Sequence, residues 1–313
     1  MKTDAKVSVV VPFLNEEGNL PELYSRLNTV FAGRKETAEF LFVDDGSTDG
    51  SVQCLEKIRQ NDPRVKILQL SRNFGHQIAI TAGMDHADAD AVVIIDADLQ
   101  DPPEAIADLL AKWREGFEVV YAVRKSREGE TWLKKFLAAS FYRVFHQLAR
   151  VDVPMDAGDF RLVDRKVINA LKEVRELHRF MRGLTCWVGF RQCAVEYDRA
   201  ARHAGETKYP VWKSLKLAWD GITSFSGKPL QWMMNAGLLV ALISALLAFR
   251  IIWMKISGNG QLVSGWASLA VLVLFLGGVQ LIALGLLGQY ISRIFDESKK
   301  RPLYLVRDNG ADA

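Results

Sequence analysis

A chain of 313 residues, 49% hydrophobic and 25% charged, is long enough for a full-sized globular domain with something more apolar attached. Its formal net charge of +3 is too small for a nucleic-acid footprint, so any electrostatic case rests on local clusters. Three cysteines, Cys54, Cys186 and Cys193, form an odd set without a CxxC pair, which argues against a disulfide framework or a zinc site and for ordinary thiols in a reducing compartment.

The opening stretch MKTDAKVSVVVPF holds no apolar run of signal-peptide length, and the first domain is expected to remain in the cytoplasm. Over the first 125 residues, short apolar runs alternate with helical stretches. Val7–Phe13, Phe40–Asp45, Val65–Leu70, Ala91–Asp96 and Val119–Val123 read as strands. Their continuous apolar character, without alternation, predicts strands covered on both faces of a parallel sheet. Glu17–Val30 and Pro103–Glu115 read as helices, the second with Asp101 ahead of Pro102 and Pro103 as its start signal. This is the pattern of an open α/β sheet, whose ligands bind at the carboxyl ends of the strands.

Thr131–Arg150 and Pro210–Phe225 mix aromatics and cations in an amphipathic pattern; each fits an ordinary domain helix, but one or both are expected to lie on a membrane surface. The reason is the pair of apolar spans nearby. Trp232–Met254 and Trp266–Ile291 each exceed the roughly 20 apolar residues that cross a bilayer. The second carries no charge; the first carries only Arg250, near enough to its end to snorkel. Trp232, Trp253 and Trp266 suit the membrane interface. Lys213, Lys216 and Lys228 precede the first span, and Arg293, Lys299, Lys300 and Arg301 lie beyond the second, while the loop between them offers only Lys255. Both ends are therefore expected in the cytoplasm. Gly277, Gly278, Gly285 and Gly288 predict close packing of the second span on the first or on a neighbouring subunit. The expected organisation is a cytoplasmic domain over 1–209, a juxtamembrane helix and linker over 210–230, a transmembrane hairpin over 231–292 and a cytoplasmic tail over 293–313.

Four expected strands end in polar clusters: Pro12 to Glu16, the DDGSTDG run from Asp44, the SRNFGHQ run from Ser71, and Asp96-Ala97-Asp98-Leu99-Gln100. A DxD alone is more often a strand-end turn with a helix cap. Here it shares a sheet edge with Asp44 and Asp45, and crowded carboxylates need a cation. A divalent metal that prefers hard oxygens, Mg²⁺ or Mn²⁺, held by Asp96 and Asp98 and bridging to a substrate diphosphate, answers that need. No GxGxxG occurs after the first strand and no GxxxxGK[ST] anywhere, so a dinucleotide dehydrogenase and a P-loop NTPase are poorly supported. His76 and His86 have no second histidine at ligand spacing and read as structural.

The segments VVVPFLNEEGNL, FVDDGSTDGS, SRNFGHQIAITAGMDHADADAVVIIDADLQDPPE and DAGDFRLVDRKV, with the two-span tail and its KKRP, closely resemble the polyisoprenyl-phosphate glycosyltransferases of glycosyltransferase family 2. The resemblance covers nearly the whole chain and implies a GT-A fold, an open Rossmann-like α/β sheet, on a membrane anchor. Within the family, the tail and ITSFSGKPL are most similar to the bactoprenol branch, which implies transfer of one sugar, glucose, from UDP-glucose to undecaprenyl phosphate at the bacterial inner membrane for O-antigen or cell-envelope modification. Other donors, UDP-N-acetylglucosamine, UDP-galactose, a UDP-aminoarabinose or GDP-mannose, share the same motifs and stay open.

By the same resemblance, Pro12, Leu14 and Glu16 lie near the nucleoside, and Asp44 or Asp45 holds the base. Asp96, Asp98 and Gln100 form the metal and diphosphate site. Arg124 faces the acceptor phosphate, Asp159 is the catalytic carboxylate, and Arg199, Arg202 and Lys208 belong to a basic loop over the phosphates. The resemblance further implies a homo-oligomer, such as a tetramer. The QxxRW motif of processive synthases is missing, which argues for single-sugar transfer. A membrane-anchored sensor of nucleotide sugars, without catalysis, is the reading of another kind; retention of Asp98 and Asp159 speaks against it.

Overall fold

The computed structural model describes residues 5–124, 157–198, 228–257 and 265–307. The amphipathic stretches Thr131–Arg150 and Pro210–Phe225 lie outside them. Of the described residues, 5–124, 157–198 and 301–307 form one compact unit, and 228–257 with 265–300 form another.

The first unit is built on a seven-stranded sheet. Its elements are β1 (Lys6–Phe13), α1 (Leu20–Phe31), β2 (Thr37–Asp44), α2 (Ser51–Asn61), β3 (Val65–Gln69), α3 (His76–His86), β4 (Ala91–Ile94), a 3₁₀ turn (Pro103–Ala105) leading into α4 (Ile106–Arg114), β5 (Val119–Arg124), β6 (Ala157–Asp164), α5 (Arg165–Glu173), α6 (Met181–Trp187) and β7 (Gln192–Tyr197). The strand order is β3-β2-β1-β4-β6-β5-β7. Val7, Val9, Val10 and Val11 are all fully buried, as a strand covered on both faces requires. Val7, Val9, Val11 and Phe13 share a core with Leu20, Leu23 and Leu27 of α1, Leu55 of α2 and Ile106, Leu109 and Trp113 of α4. The apolar spacing of α1 and α4 puts these side chains on one helix face. On the other face α3 approaches so closely that a Cβ on Gly83 would stand 2.2 Å from Val10 Cγ1.

The expected strands are all present, but the sheet is mixed rather than parallel. β6 pairs antiparallel with both β4 and β5. β5 ends and β6 begins at the same edge, with Val123 opposite Ala157, so β6 must run back against its neighbours. β6 and β7 are strands that the sequence reading does not contain. Along β6, Asp159, Phe160, Arg161 and Leu162 are all buried, and charges between apolar residues hide a fully covered strand from any hydropathy pattern.

The tail carries contacts on which the sequence is silent. Residues 301–307 return to the outer edge of the sheet, where Leu305 O accepts from Ser71 N–H at 2.8 Å, Arg307 N–H donates to Gln69 O at 2.8 Å, and Val306 bridges Leu70. Tyr304 Oη donates to Asp85 Oδ2 at 3.0 Å.

The second unit contains α7 (Lys228–Ile256) and α8 (Trp266–Ser298), two helices long and apolar enough to cross a membrane. α8 runs past Ile291 to Ser298. Among the described residues, a Cβ on Gly277, Gly278, Gly285 or Gly288 would meet nothing within 4 Å, so the expected packing of these glycines on the first helix is not observed.

Candidate active site

The carboxyl ends of β1 to β4 and the amino end of β6 share one edge of the sheet, because β6 is reversed. At the end of β1, Pro12 is buried opposite Val43, and Leu14, one residue past the strand, is 38% exposed. Asn15 takes a left-handed conformation, φ 56°, that asparagine tolerates. Its N–H donates to Ser47 Oγ (3.0 Å), and its side-chain oxygen accepts from the Thr48 N–H (2.8 Å). Glu16 N–H donates to Ser51 Oγ (2.9 Å), while the Glu16 carboxylate accepts from Asn19 Nδ2 (2.6 Å). The loop after β1 is thus fastened to the loop after β2.

Asp44 and Asp45 are both buried, with different duties. Asp44 Oδ1 accepts from the Ser47 N–H (2.8 Å) of its own turn. Asp45 reaches the loop after β3, Oδ1 accepting from the Phe74 N–H (2.7 Å) and Oδ2 from the Gly75 N–H (3.0 Å). Burial raises the Asp45 carboxyl above its ordinary value, and these two N–H groups pull against the rise. At Gly46, φ is 83° and a Cβ would stand 2.8 Å from Asn73 N, so the two loops meet backbone to backbone.

Beyond β4 the chain turns through Asp98, Leu99 and Gln100, with Leu99 at φ 59° and the Gln100 N–H donating to Asp98 Oδ1 (3.1 Å). β4 pairs Ile94 with Arg161; carried two residues further, that register sets Asp96 level with Asp159. Both predicted carboxylates therefore face one place. Three residues outside the expected site join them. His76, the first residue of α3, has Nε2 3.4 Å from Asp96 Oδ1 and 3.5 Å from Asp159 Oδ2. Arg182 forks Asp159, Nε to Oδ1 at 2.9 Å and Nη2 to Oδ2 at 3.2 Å. Gln77 Nε2 donates to Asp159 Oδ2 at 3.2 Å.

Electrostatics separates the two carboxylates. Burial alone would raise Asp159, but the charge of Arg182 and the hydrogen bonds from His76 and Arg182 hold it well below the usual carboxylate range. Burial also raises Asp96; His76 offsets this in part, and Asp159, Asp101 and Asp98 add like-charge repulsion. Desolvation disfavours the His76 imidazolium, yet the bond to Asp159 and the charges of Asp96 and Asp159 push it up to about 9. His76 thus joins Asp96 and Asp159, although it reads as structural from sequence. Its partners are carboxylates, which histidine spacing could not reveal; its place in a strand-end loop was the available signal. His86 is structural, with Nδ1 2.9 Å from Ala82 O.

Arg124 closes the edge at β5. Its Nε donates to Tyr197 Oη (3.4 Å), and Tyr197 in turn donates to the buried carboxylate of Asp101. Burial and Asp101 push the Tyr197 phenol up to about 12, so it keeps its proton. The helical turn begins at Pro103 as expected, and the Asp101 carboxylate ahead of it takes the Tyr197 hydroxyl. A Cβ on Gly158 would stand 3.9 Å from Arg124 Nη2, which puts the guanidinium beside the residue preceding Asp159. Arg199, Arg202 and Lys208 lie outside the described residues.

Asp96 Oδ1 is buried and makes no hydrogen bond; it faces His76 Nε2 at 3.4 Å, with the carboxylates of Asp98, Asp101 and Asp159 adding repulsion around it. No group of three or more His, Cys, Asp or Glu arranged to hold a metal occurs among the described residues. Asp96 and Asp98 can thus supply two carboxylates, and the remaining oxygens of a hard-cation site would come from a diphosphate and water.

Fold and site together define a glycosyltransferase of the GT-A type. The family described as glycosyl transferase family 2 matches residues 8–172, and the chain belongs to it. The chain is 52% identical to the uncharacterized glycosyltransferase YkcC of Bacillus subtilis (strain 168) over 307 residues, 98% of this chain and 95% of the relative. It is 43% identical to the bactoprenol glucosyl transferase of Shigella phage SfV over 304 residues, 97% of this chain and 98% of the relative. A prophage bactoprenol glucosyl transferase homolog of Escherichia coli (strain K12) is 41% identical over 303 residues, 96% and 98% of the two chains. Among solved structures, mannosyl-3-phosphoglycerate synthase from Rubrobacter xylanophilus is similar at TM-score 0.49 and 15% identity, over 83% of this chain and 77% of that one.

Proposed function

We propose that the enzyme transfers a single sugar, glucose, from a UDP-sugar to undecaprenyl phosphate at the cytoplasmic face of the bacterial inner membrane, with inversion at the anomeric carbon. The observation that carries this reading is the crowd of carboxylates at the sheet edge, Asp96 with Asp98, Asp101 and Asp159, more negative charge than the facing His76 offsets. Supporting it are the bactoprenol names of two full-length relatives and the two membrane-length helices.

Asp96 and Asp98, with Gln100 in the same turn, would hold Mg²⁺ or Mn²⁺. Once bound, the ion supplies positive charge to the departing UDP. Pro12, Leu14 and Glu16 border the nucleoside. Asp44 is the better candidate for the base, since Asp45 has both oxygens on backbone N–H groups while Asp44 has one on Ser47. Arg124, with Arg199, Arg202 and Lys208, binds phosphate oxygens. An acceptor phosphate oxygen attacks the anomeric carbon opposite the bond to UDP; that bond breaks, its electron pair leaves on the diphosphate, and the configuration inverts.

The acceptor phosphate, with a second pKa of about 6, is mostly dianionic near neutral pH and needs no base. Asp159 suits that requirement. It is ionised and both its oxygens are engaged, so its role is to orient Arg182 and His76 toward the phosphates. Basic residues flanking the helices support a cytoplasmic location for both chain ends, and the family resemblance supports a homo-oligomer.

The test is purified protein with undecaprenyl phosphate, Mg²⁺ or Mn²⁺, and a panel of UDP- and GDP-sugars offered separately, with lipid product followed by mass. One UDP-sugar, glucose, should give a lipid phosphate carrying one sugar. Metal-dependent UDP binding without product from any donor would sink the lipid-phosphate reading and favour a sensor.

A further inference from the structure

The side chain of Gln77 has two bonds in opposite directions. Its Nε2 donates to Asp159 Oδ2 at 3.2 Å, and its Oε1 accepts from the Met181 N–H at 2.9 Å. Met181 opens α6, and Phe180 at the cap position offers no side-chain bond, so Gln77 satisfies from outside an N–H that the helix leaves unpaired. The next residue is Arg182, which forks the same Asp159. The bonds form a closed circuit: amide to carboxylate, carboxylate to guanidinium, and along the backbone to Met181 and the amide. One turn further along α3, Thr81 Oγ1 donates to Gln77 O at 2.8 Å and lies 3.8 Å from Met181 Sδ, which clamps the first turn of α3 to α6.

Resting on the transferase reading above, we infer that Gln77 is a positioning residue for sugar transfer, fixing the Asp159–Arg182 pair in one orientation beside Asp96 and His76. Only an amide serves. The circuit needs a donor toward Asp159 and an acceptor toward Met181, fixed on one planar group. A glutamate would offer two acceptors and repel Asp159; a methionine of similar length would offer neither bond. Without Gln77, Asp159 Oδ2 loses a donor and Arg182 loses the anchor of its helix. The expected loss is in turnover, because misplacing charged groups by about 1 Å costs on the order of a hundredfold.

The test compares full-length wild type with Gln77→Met, Gln77→Glu and Arg182→Lys, singly and combined. Thermal stability, metal-dependent UDP affinity, kcat and the Arg182 Nε–H resonance are measured. The inference expects Gln77→Met to keep its fold and its UDP affinity within about twofold, and to lose about tenfold or more in kcat. It also expects the Arg182 resonance to shift, and Gln77→Met to add little to Arg182→Lys. Unchanged kcat per folded molecule, or losses that multiply in the double variant, would overturn it; they would leave Gln77 as an ordinary helix clamp. Should the wild type yield no lipid product, the acceptor reading fails while this inference is still decided by the resonance: an unchanged Arg182 signal in a folded Gln77→Met protein overturns it.

Discussion

From β1 to β3 the sheet edge is assembled by loops that bind each other, with Asn15 on Ser47 and Thr48, Glu16 on Ser51, and Asp45 on the amides of Phe74 and Gly75. From β4 to β5 it is assembled from charged side chains brought by four separate elements: Asp96 beyond β4, His76 from α3, Asp159 from β6 and Arg182 from α6. The first half is a set of short-range contacts in which carboxylates are held by backbone and side-chain donors, the half proposed to border the nucleoside. The second concentrates opposed charges at 2.9–3.5 Å, suited to moving charge between phosphates. The two halves should therefore fail differently.

The largest effect is expected in the charged half. Asp96→Ala or Asp98→Ala should cut transfer by roughly 10³-fold, since each removes part of the proposed cation site, which would be worth several kcal/mol to the leaving diphosphate. Thermal stability should hold or rise, because Asp96 is held at a cost. Transfer above a tenth of wild type in both variants would break the assignment. The loop half should respond in affinity instead. Gly46→Ala places a Cβ at φ 83°, 2.8 Å from Asn73 N, and its strain of about 1–2 kcal/mol should appear as roughly a tenfold loss in UDP affinity at nearly unchanged kcat. Calorimetric titration with UDP decides it.

Smaller effects come from ion pairs and hydrogen bonds away from both halves. Hydrogen bonds from Arg64 pull the Asp62 carboxyl down to about 2. A folded value below the unfolded one contributes stability above the ordinary carboxylate pKa and loses it as pH falls from about 4 through 2. Asp62→Asn should cost about 1 kcal/mol near neutral pH, discounted for the exposure of Arg64, and flatten the acid limb of the melting curve. An unaltered acid limb would show that the pair contributes nothing. Least of all, Tyr304→Phe removes one hydrogen bond from the returning tail to Asp85 and should cost about 1 kcal/mol or less, with UDP affinity and kcat unchanged. A loss of UDP affinity there would extend the loop half to the tail.

The sequence by itself determined the five apolar strands, the two membrane-length helices and the clusters at Asp44, Asp45, Asp96 and Asp98, because burial on both faces and strand-end chemistry are local patterns. It also pointed to Asp159, through the motif around it rather than through its surroundings. The reversed strand β6, the return of residues 301–307 and the gathering of His76, Gln77 and Arg182 around Asp159 were decided by tertiary structure alone. Gln77 and Arg182 stand 105 positions apart, and Asp159 meets them only because an antiparallel register levels it with Asp96. Local patterning records which face of an element is buried. It does not record which distant charges will share one site, and that pairing is settled only when the sheet closes its order of strands.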